Sequence, residues 1–126
     1  MMNFVKGSIS IRADLAIIQE VLVEYRYIEE WEKGFDSFKE LHVSEGMKTI
    51  VHWDIEFDID FIFSVTENEG VVLLELTVGD LSKLSGKKCN SEEMRYYIDT
   101  VLCRIKAMSE RLRVPSRQVQ STSETK

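Results

Sequence analysis

The length, composition and charge of the chain limit what kind of protein it is. Its 126 residues are enough for one domain with one core and too few for two domains of usual size. With 44% hydrophobic and 30% charged residues it has the composition of an ordinary globular protein, and its net charge of −6 argues against nucleic-acid binding. No apolar run approaches the length of about 18 residues that a membrane span needs. Because residues 1–10 also lack a signal-peptide pattern, we expect a cytoplasmic protein.

The first third of the chain predicts a strand followed by two short helices. Residues 4–11 alternate apolar and polar side chains, as a half-buried strand does. Asp14 is a suitable N-cap for a helix whose apolar residues recur at spacings of three and four. A second helical segment carries Ile28 and Trp31 on one side and ends at Gly34.

A long alternating run in the middle of the chain predicts one or two strands with a single apolar face. Its odd positions are all apolar: Val51, Trp53, Ile55, Phe57, Ile59, Phe61, Phe63 and Val65. Its first even positions are polar: His52, Asp54, Glu56, Asp58 and Asp60. Because successive strand side chains point to opposite faces, we expect the odd residues to face the core and the even residues, including His52, to face solvent. Alternate carboxylates stand about 6 to 7 Å apart, too far for all of them to share one metal ion.

Shorter strands flank this run. Residues 38–43 predict a strand that is closed by the turn Ser44-Glu45-Gly46. Residues 67–70 predict a hairpin turn into a strand at residues 71–78. Gly79-Asp80 and Ser85-Gly86 mark further turns.

The last regular element is the clearest helix in the sequence. Asn90 and Glu93 form a plausible capping pair, and apolar residues recur at spacings of three and four from Met94 to Leu112. Beyond Pro115 the sequence is polar and without periodicity. We therefore expect a domain at residues 1–113 and a disordered tail at residues 114–126. Cys89 and Cys103 lie in no metal-binding or redox spacing, and we expect both to be free thiols.

This order of elements predicts an α+β fold, because a long amphipathic helix can bury its stripe only against the apolar face of an antiparallel sheet. The arrangement resembles the START-like (SRPBCC) superfamily with the helix-grip fold, which includes polyketide cyclase and dehydrase-like proteins and carriers of lipids or quinones. The matching segments are residues 11–14, 29–31, 51–53 and 75–86. The last of these, Glu-Leu-Thr-Val-Gly-Asp-Leu-Ser-Lys-Leu-Ser-Gly, is similar to the family's strand that ends in a Gly-Asp turn and leads to Ser-Gly.

The chain departs from the family after Ser85-Gly86. The family continues with about two further strands, whereas Lys87-Lys88-Cys89-Asn90 passes almost directly into the helix. A sheet shortened in this way has an unpaired edge, which native proteins cover or pair. We therefore expect a homodimer that uses the edge near residues 81–89 or the face of the helix at residues 90–112, because a two-fold dimer needs only one self-complementary patch.

The resemblance implies a ligand cavity between the sheet and the C-terminal helix. The candidate lining residues are Trp53, Ile55, Phe57, Phe61 and Phe63 from the sheet and Met94, Tyr97, Ile98 and Val101 from the helix. An aromatic stripe is more often core than pocket, since each buried ring removes 150 to 250 Å² from water. Tyr97 is the polar member of this set, and we expect it to be the main hydrogen-bonding group of any cavity.

Three classes of function fit these features. The first is binding or carriage of a small hydrophobic molecule such as a lipid, a quinone or a polyketide-like compound, which a cavity of about 300 Å³ or more would favour. The second is a protein-interaction module that uses an exposed sheet edge or helix face and needs no small ligand. The third, a cyclase or dehydratase, is implied by the resemblance alone. No nucleophile motif, phosphate loop or EF-hand spacing is present, so we expect neither a cofactor nor a metal.

Overall fold

A computed structural model describes residues 3–32, 39–83 and 91–121, with side chains for 3–32, 40–82 and 91–112. Within these ranges the chain combines an antiparallel sheet with a long C-terminal helix and two short helices. The elements are β1 (Val5–Ile11), α1 (Leu15–Val23), α2 (Tyr25–Trp31), β2 (Lys39–Val43), β3 (Thr49–Asp54), β4 (Ile59–Asn68), β5 (Val71–Gly79) and α3 (Ser91–Ser121). The predicted α+β fold is therefore confirmed.

Among the described residues the sheet has five strands, in the order β1-β5-β4-β3-β2. Strands β2 to β5 follow one another as an antiparallel meander, and β1 is added beside β5. Within the described part of the chain, the edges of the sheet are therefore β1 and β2. Leu81–Lys83 form a short 3₁₀ turn rather than a strand, and residues 84–90 lie outside the described part of the chain. Dimerisation through residues 81–89 or through α3 stays a prediction.

The prediction that the odd residues of 51–65 face the core is right in β4 and wrong in β3. In β4 the odd residues from Ile59 to Val65 are buried, as expected. In β3 the buried residues are Ile50, His52 and Asp54, whereas Trp53 lies half-buried on the outer face of the sheet. The prediction that His52 and Asp54 face solvent is therefore wrong.

A four-residue turn causes this change of register. Residues 55–58 separate the two strands, and Asp54 pairs directly with Ile59, so both side chains point to the inner face. An Asp54 carboxylate oxygen accepts a hydrogen bond from the Phe57 N–H at 3.1 Å, and the Asp54 carbonyl accepts one from Asp58 N–H at 2.7 Å. An aspartate that bonds to the backbone of its own turn is a common way to build such a connection.

Helix α3 covers the inner face of the sheet. It lies closest to β1 and also contacts α1 and β5. Its buried stripe consists of Met94, Ile98, Val101, Leu102, Ile105 and Met108. On β1, Gly7 lets the helix come close, because a Cβ at this position would lie 2.7 Å from Cγ2 of Ile98. The helix runs to Ser121, past the predicted end at Leu112 and through Pro115. A proline removes one backbone N–H donor, and here the helical geometry continues on both sides of it.

The Gly-Asp segment that carried the family resemblance ties the start of the chain to the start of α3. A carboxylate oxygen of Asp80 accepts hydrogen bonds from Asn3 N–H at 2.7 Å and from Ser82 N–H at 3.1 Å. The N–H of Leu81 donates to the Asn3 carbonyl at 2.7 Å. The Asn3 side chain in turn donates to Oγ of Ser91 at 3.2 Å. The role of this segment in the described structure is thus to join β1, β5 and α3.

Candidate functional site

A crevice opens between the inner face of the sheet and α3, beside the end of α2. Its lining consists of Trp31, Glu32, His52, Phe61, Phe63, Leu76, Tyr97 and Val101. The empty space measures about 190 Å³, including the part open to solvent, and leaves no room for a water molecule. The crevice is thus a narrow gap that is too tight to hold a ligand as it stands, and it lacks the 300 to 1,000 Å³ that are usual for ligand pockets.

Three rings form the wall of this crevice. Trp31, His52 and Phe63 contact one another edge to face, with centroids 5.3 to 5.5 Å apart. Such edge-to-face pairs add to the stabilisation that comes from burying the rings.

The end of α1 explains why Trp31 and His52 point inward. The last carbonyls of a helix have no partner within it, and they must find donors elsewhere when they are buried. Nε1 of Trp31 donates to the Val21 carbonyl at 2.8 Å, and Nε2 of His52 lies 2.9 Å from the Leu22 carbonyl. Because a carbonyl only accepts, we assign the proton of His52 to Nε2 in this contact.

Tyr97 connects α3 to the residue that follows α2. Its hydroxyl donates a hydrogen bond to a carboxylate oxygen of Glu32, and its ring lies edge to face with Phe61 at a centroid distance of 6.0 Å. Burial raises the pKa of the Tyr97 phenol, and the negative charge of Glu32 and the hydrogen bond to it raise this pKa further. The protonated phenol and the Glu32 carboxylate thus stabilise each other in the folded state.

This raised pKa predicts how stability depends on pH. In the unfolded chain Tyr97 ionises near pH 10, whereas in the folded protein it keeps its proton at that pH. The stabilisation is therefore fully present below pH 10 and is lost as the pH rises toward the folded-state value. We expect the free energy of unfolding of the parent chain to fall more steeply than that of Tyr97→Phe above pH 10, by about 1.4 kcal/mol per pH unit. Urea titrations between pH 9 and pH 11 measure this, and equal slopes would contradict it.

The structure brings part of the predicted site together. Phe61, Phe63, Tyr97 and Val101 line the crevice. Met94 and Ile98 are buried between α3 and the sheet and do not line it.

The remaining predicted residues lie elsewhere. Trp53 is on the outer face, where its Nε1 donates to Asp58 at 2.9 Å. Ile55 is 45% exposed in the turn after β3, and Phe57 is half-buried against the core. Whether any of these residues binds a ligand stays a prediction.

Sequence reasoning missed Trp31, Glu32, His52 and Leu76. Tyr97 is the polar member of the predicted set, and Glu32 and His52 also line the crevice. That Tyr97 is the main hydrogen-bonding group for a ligand stays a prediction. The signal that could have placed His52 is Asp54, since an aspartate followed by a short turn divides the alternating run into two strands. Among the described residues no cluster of His, Cys, Asp and Glu could hold a metal ion.

Helix length and composition bear on the membrane question. None of the helices in the described part of the chain combines the length and apolar character that crossing a bilayer requires.

Of the two cysteines, Cys103 is an exposed free thiol, and Cys89 lies outside the described residues.

Comparison with known proteins identifies the fold. No protein-family model matches the chain, and no curated protein does. Among solved structures the chain is similar to the KanY protein, with a TM-score of 0.66, 12% identity, and coverage of 87% of this chain and 99% of KanY. It is also similar to the Aha1 dimer of Colwellia psychrerythraea, with a TM-score of 0.62, 11% identity, and coverage of 90% and 98%.

A third similar structure is DynU16, from the dynemicin biosynthetic locus. The TM-score is 0.63 at 12% identity, and the match covers 88% of this chain and 48% of DynU16. At such identities the likeness concerns backbone architecture. The chain thus shares the fold of these structures, in which an antiparallel sheet packs against one long helix.

Proposed function

We propose that this chain binds a small, flat hydrophobic molecule that carries a hydrogen-bonding group, in the crevice between the sheet and α3. The observation that carries the proposal is the convergence of Glu32, His52 and Tyr97 on a wall of aromatic rings. A few polar groups in a largely apolar lining are typical of small-molecule sites. The resemblance to the START-like superfamily, which includes lipid and quinone carriers, supports the same class of ligand.

Binding requires the crevice to open. The hydrogen bond between Tyr97 and Glu32 holds α3 against the end of α2, and Tyr97 is only partly buried. We infer that a ligand separates this pair by turning the Tyr97 ring outward and occupies the space beside Phe61. A carbonyl group of the ligand then accepts the hydrogen bond that the Tyr97 hydroxyl has given up.

A quinone tests this proposal, because it is flat and carries two carbonyl acceptors. We choose menadione as the probe and Trp31 fluorescence as the signal, in a Trp53→Phe background that leaves Trp31 as the only tryptophan. We expect saturable quenching. Tyr97→Phe removes the contact with Glu32 that closes the crevice together with the donor to the ligand. Because the bond to the charged Glu32 is the stronger of the two, we expect Tyr97→Phe to tighten menadione binding, by about 1 kcal/mol.

The neighbouring tyrosine provides the matched control. Tyr96 is 75% exposed on the other side of α3, so Tyr96→Phe should leave the binding constant unchanged. Circular dichroism confirms that each variant is folded. The proposal fails if menadione causes no saturable quenching, or if Tyr96→Phe and Tyr97→Phe change the binding constant equally.

A protein-interaction module is the second candidate, and the narrow crevice favours it. On β2, Leu41 and Val43 lie on the inner face of the sheet beyond the reach of α3, and they are 38% and 43% exposed. Apolar side chains on an edge strand are a common means of binding another chain. This function needs no opening of the crevice and predicts that menadione does not bind.

A further inference from the structure

Strand β2 is an edge of the sheet whose side chains and backbone are both arranged for pairing. No residue in the described ranges pairs with its outer side. Leu41 and Val43 stand opposite His52 and Ile50 of β3, and therefore on the inner face. The inner face of the sheet thus ends in two exposed apolar side chains at an open edge.

The hydrogen-bond pattern shows which backbone groups of β2 point away from the sheet. The N–H of Ser44 donates to the Thr49 carbonyl of β3 at 2.9 Å. In an antiparallel ladder this direction alternates along the strand, so Glu40 and His42 also direct their backbone groups toward β3. The N–H and C=O groups of residues 39, 41 and 43 therefore point outward from the edge.

We propose that a second copy of this chain pairs with β2 in antiparallel fashion, about a two-fold axis at Leu41. In this register residue 41 faces its own symmetry mate, and residue 39 faces residue 43 of the partner. Each of these outward residues then exchanges both of its backbone hydrogen bonds across the interface. The same edge serves both copies, as a two-fold axis requires.

The side chains favour this register over its neighbours. With the axis at Leu41, the two Leu41 side chains meet on the inner face. On the outer face the Glu40 carboxylate, which lies 3.8 Å from Nε2 of His42 in its own strand, also stands opposite the partner's His42. Placing the axis at Glu40 or at His42 instead puts each of these residues opposite its own copy. Cross-strand pairs of unlike groups stabilise a sheet, and like charges directly opposite destabilise it. This self-complementarity is the reason for choosing a second copy over a foreign strand.

The pairing also has a consequence for the inner face. Leu41 is the register partner of His52, which lines the crevice. In the dimer the two sheets form one continuous surface, and the partner's Leu41 extends the apolar floor on the His52 side of each crevice. The dimer does not depend on the ligand proposed above, because no residue of its test lines the crevice.

A pair of leucines with nearly equal exposure tests the interface. Leu41 is 38% exposed on β2, and Leu73 is 39% exposed on β5. We expect light scattering of the full chain at high micromolar concentration to give about twice the 14.6 kDa mass for the parent and for Leu73→Lys. Leu41→Lys should give the monomer mass of 14.6 kDa. A parent chain of monomer mass, or a Leu41→Lys dimer, would overturn the proposal.

A charge exchange keeps the test valid if Leu41→Lys fails to fold. Glu40→Lys places a cation opposite His42 twice in each dimer and should raise the dissociation constant by about tenfold. The double variant Glu40→Lys with His42→Glu places opposite charges across the interface and should bind at least as tightly as the parent. Dissociation constants from sedimentation equilibrium measure this, and a double variant no tighter than Glu40→Lys alone would overturn the proposed register.

Discussion

Replacing Trp31 with alanine should lower the free energy of unfolding by about 3 to 5 kcal/mol. Trp31 is 1% exposed, and its ring contacts both His52 and Phe63. Its removal leaves a cavity at the end of α2 and takes the only described donor from the buried Val21 carbonyl. Urea unfolding followed by circular dichroism measures the loss.

The other tryptophan is the control. Trp53 lies half-buried on the outer face, so Trp53→Ala should cost about 1 kcal/mol, in the range of partly exposed substitutions. Trp31→Phe keeps a ring in place but loses the hydrogen bond, and should fall between the two. If Trp53→Ala costs as much as Trp31→Ala, the register of β3 described above is wrong.

Replacing Gly7 with alanine should lower the free energy of unfolding by about 1 to 3 kcal/mol. In an open strand this change normally stabilises, because alanine loses less backbone entropy on folding than glycine does. Here the added Cβ would lie 2.7 Å from Cγ2 of Ile98, in a core where Ile98 is fully buried. The clash therefore determines the sign, and urea unfolding measures it.

A compensating substitution isolates the contact. Leucine has no methyl group at the Cγ2 position, so Ile98→Leu removes the atom that a Cβ at residue 7 would meet. We expect the double variant, Gly7→Ala with Ile98→Leu, to be more stable than the sum of the two single changes predicts. Strict additivity, or stabilisation by Gly7→Ala alone, would mean that α3 lies farther from β1.

Periodicity predicted most of the fold. The strand at residues 4–11, the two short helices, the hairpin near Gly70 and the long helix are all found close to their predicted positions. These are local patterns, and one buried face imposes them on the sequence. The α+β arrangement follows from them, because α3 can bury its stripe only against the sheet.

The candidate site was harder to predict, because it depends on one turn. Every odd residue from Val51 to Val65 is apolar, yet residues 55–58 form a turn between β3 and β4. As a result the even residues of β3 share the inner face with the odd residues of β4. A slip of one residue moves every side chain of a strand to the opposite face. This moves Trp53 out of the predicted pocket and His52 into the crevice. The side chains of Trp31 and His52 that bond to the last carbonyls of α1 come from distant parts of the sequence. The periodicity of the sequence does not reveal such tertiary contacts.

The pairing of β1 with β5 sets the order in which the chain acquires its structure during synthesis. Strands β2 to β5 are neighbours in sequence and can pair as they emerge from the ribosome. Strand β1 emerges first, but at synthesis rates of 5 to 20 residues per second its partner follows only about 60 to 70 residues and several seconds later. During that time the nascent strand must stay unpaired. The polar residues Lys6, Ser8 and Ser10 between its apolar positions suit this interval, because they discourage pairing with other chains.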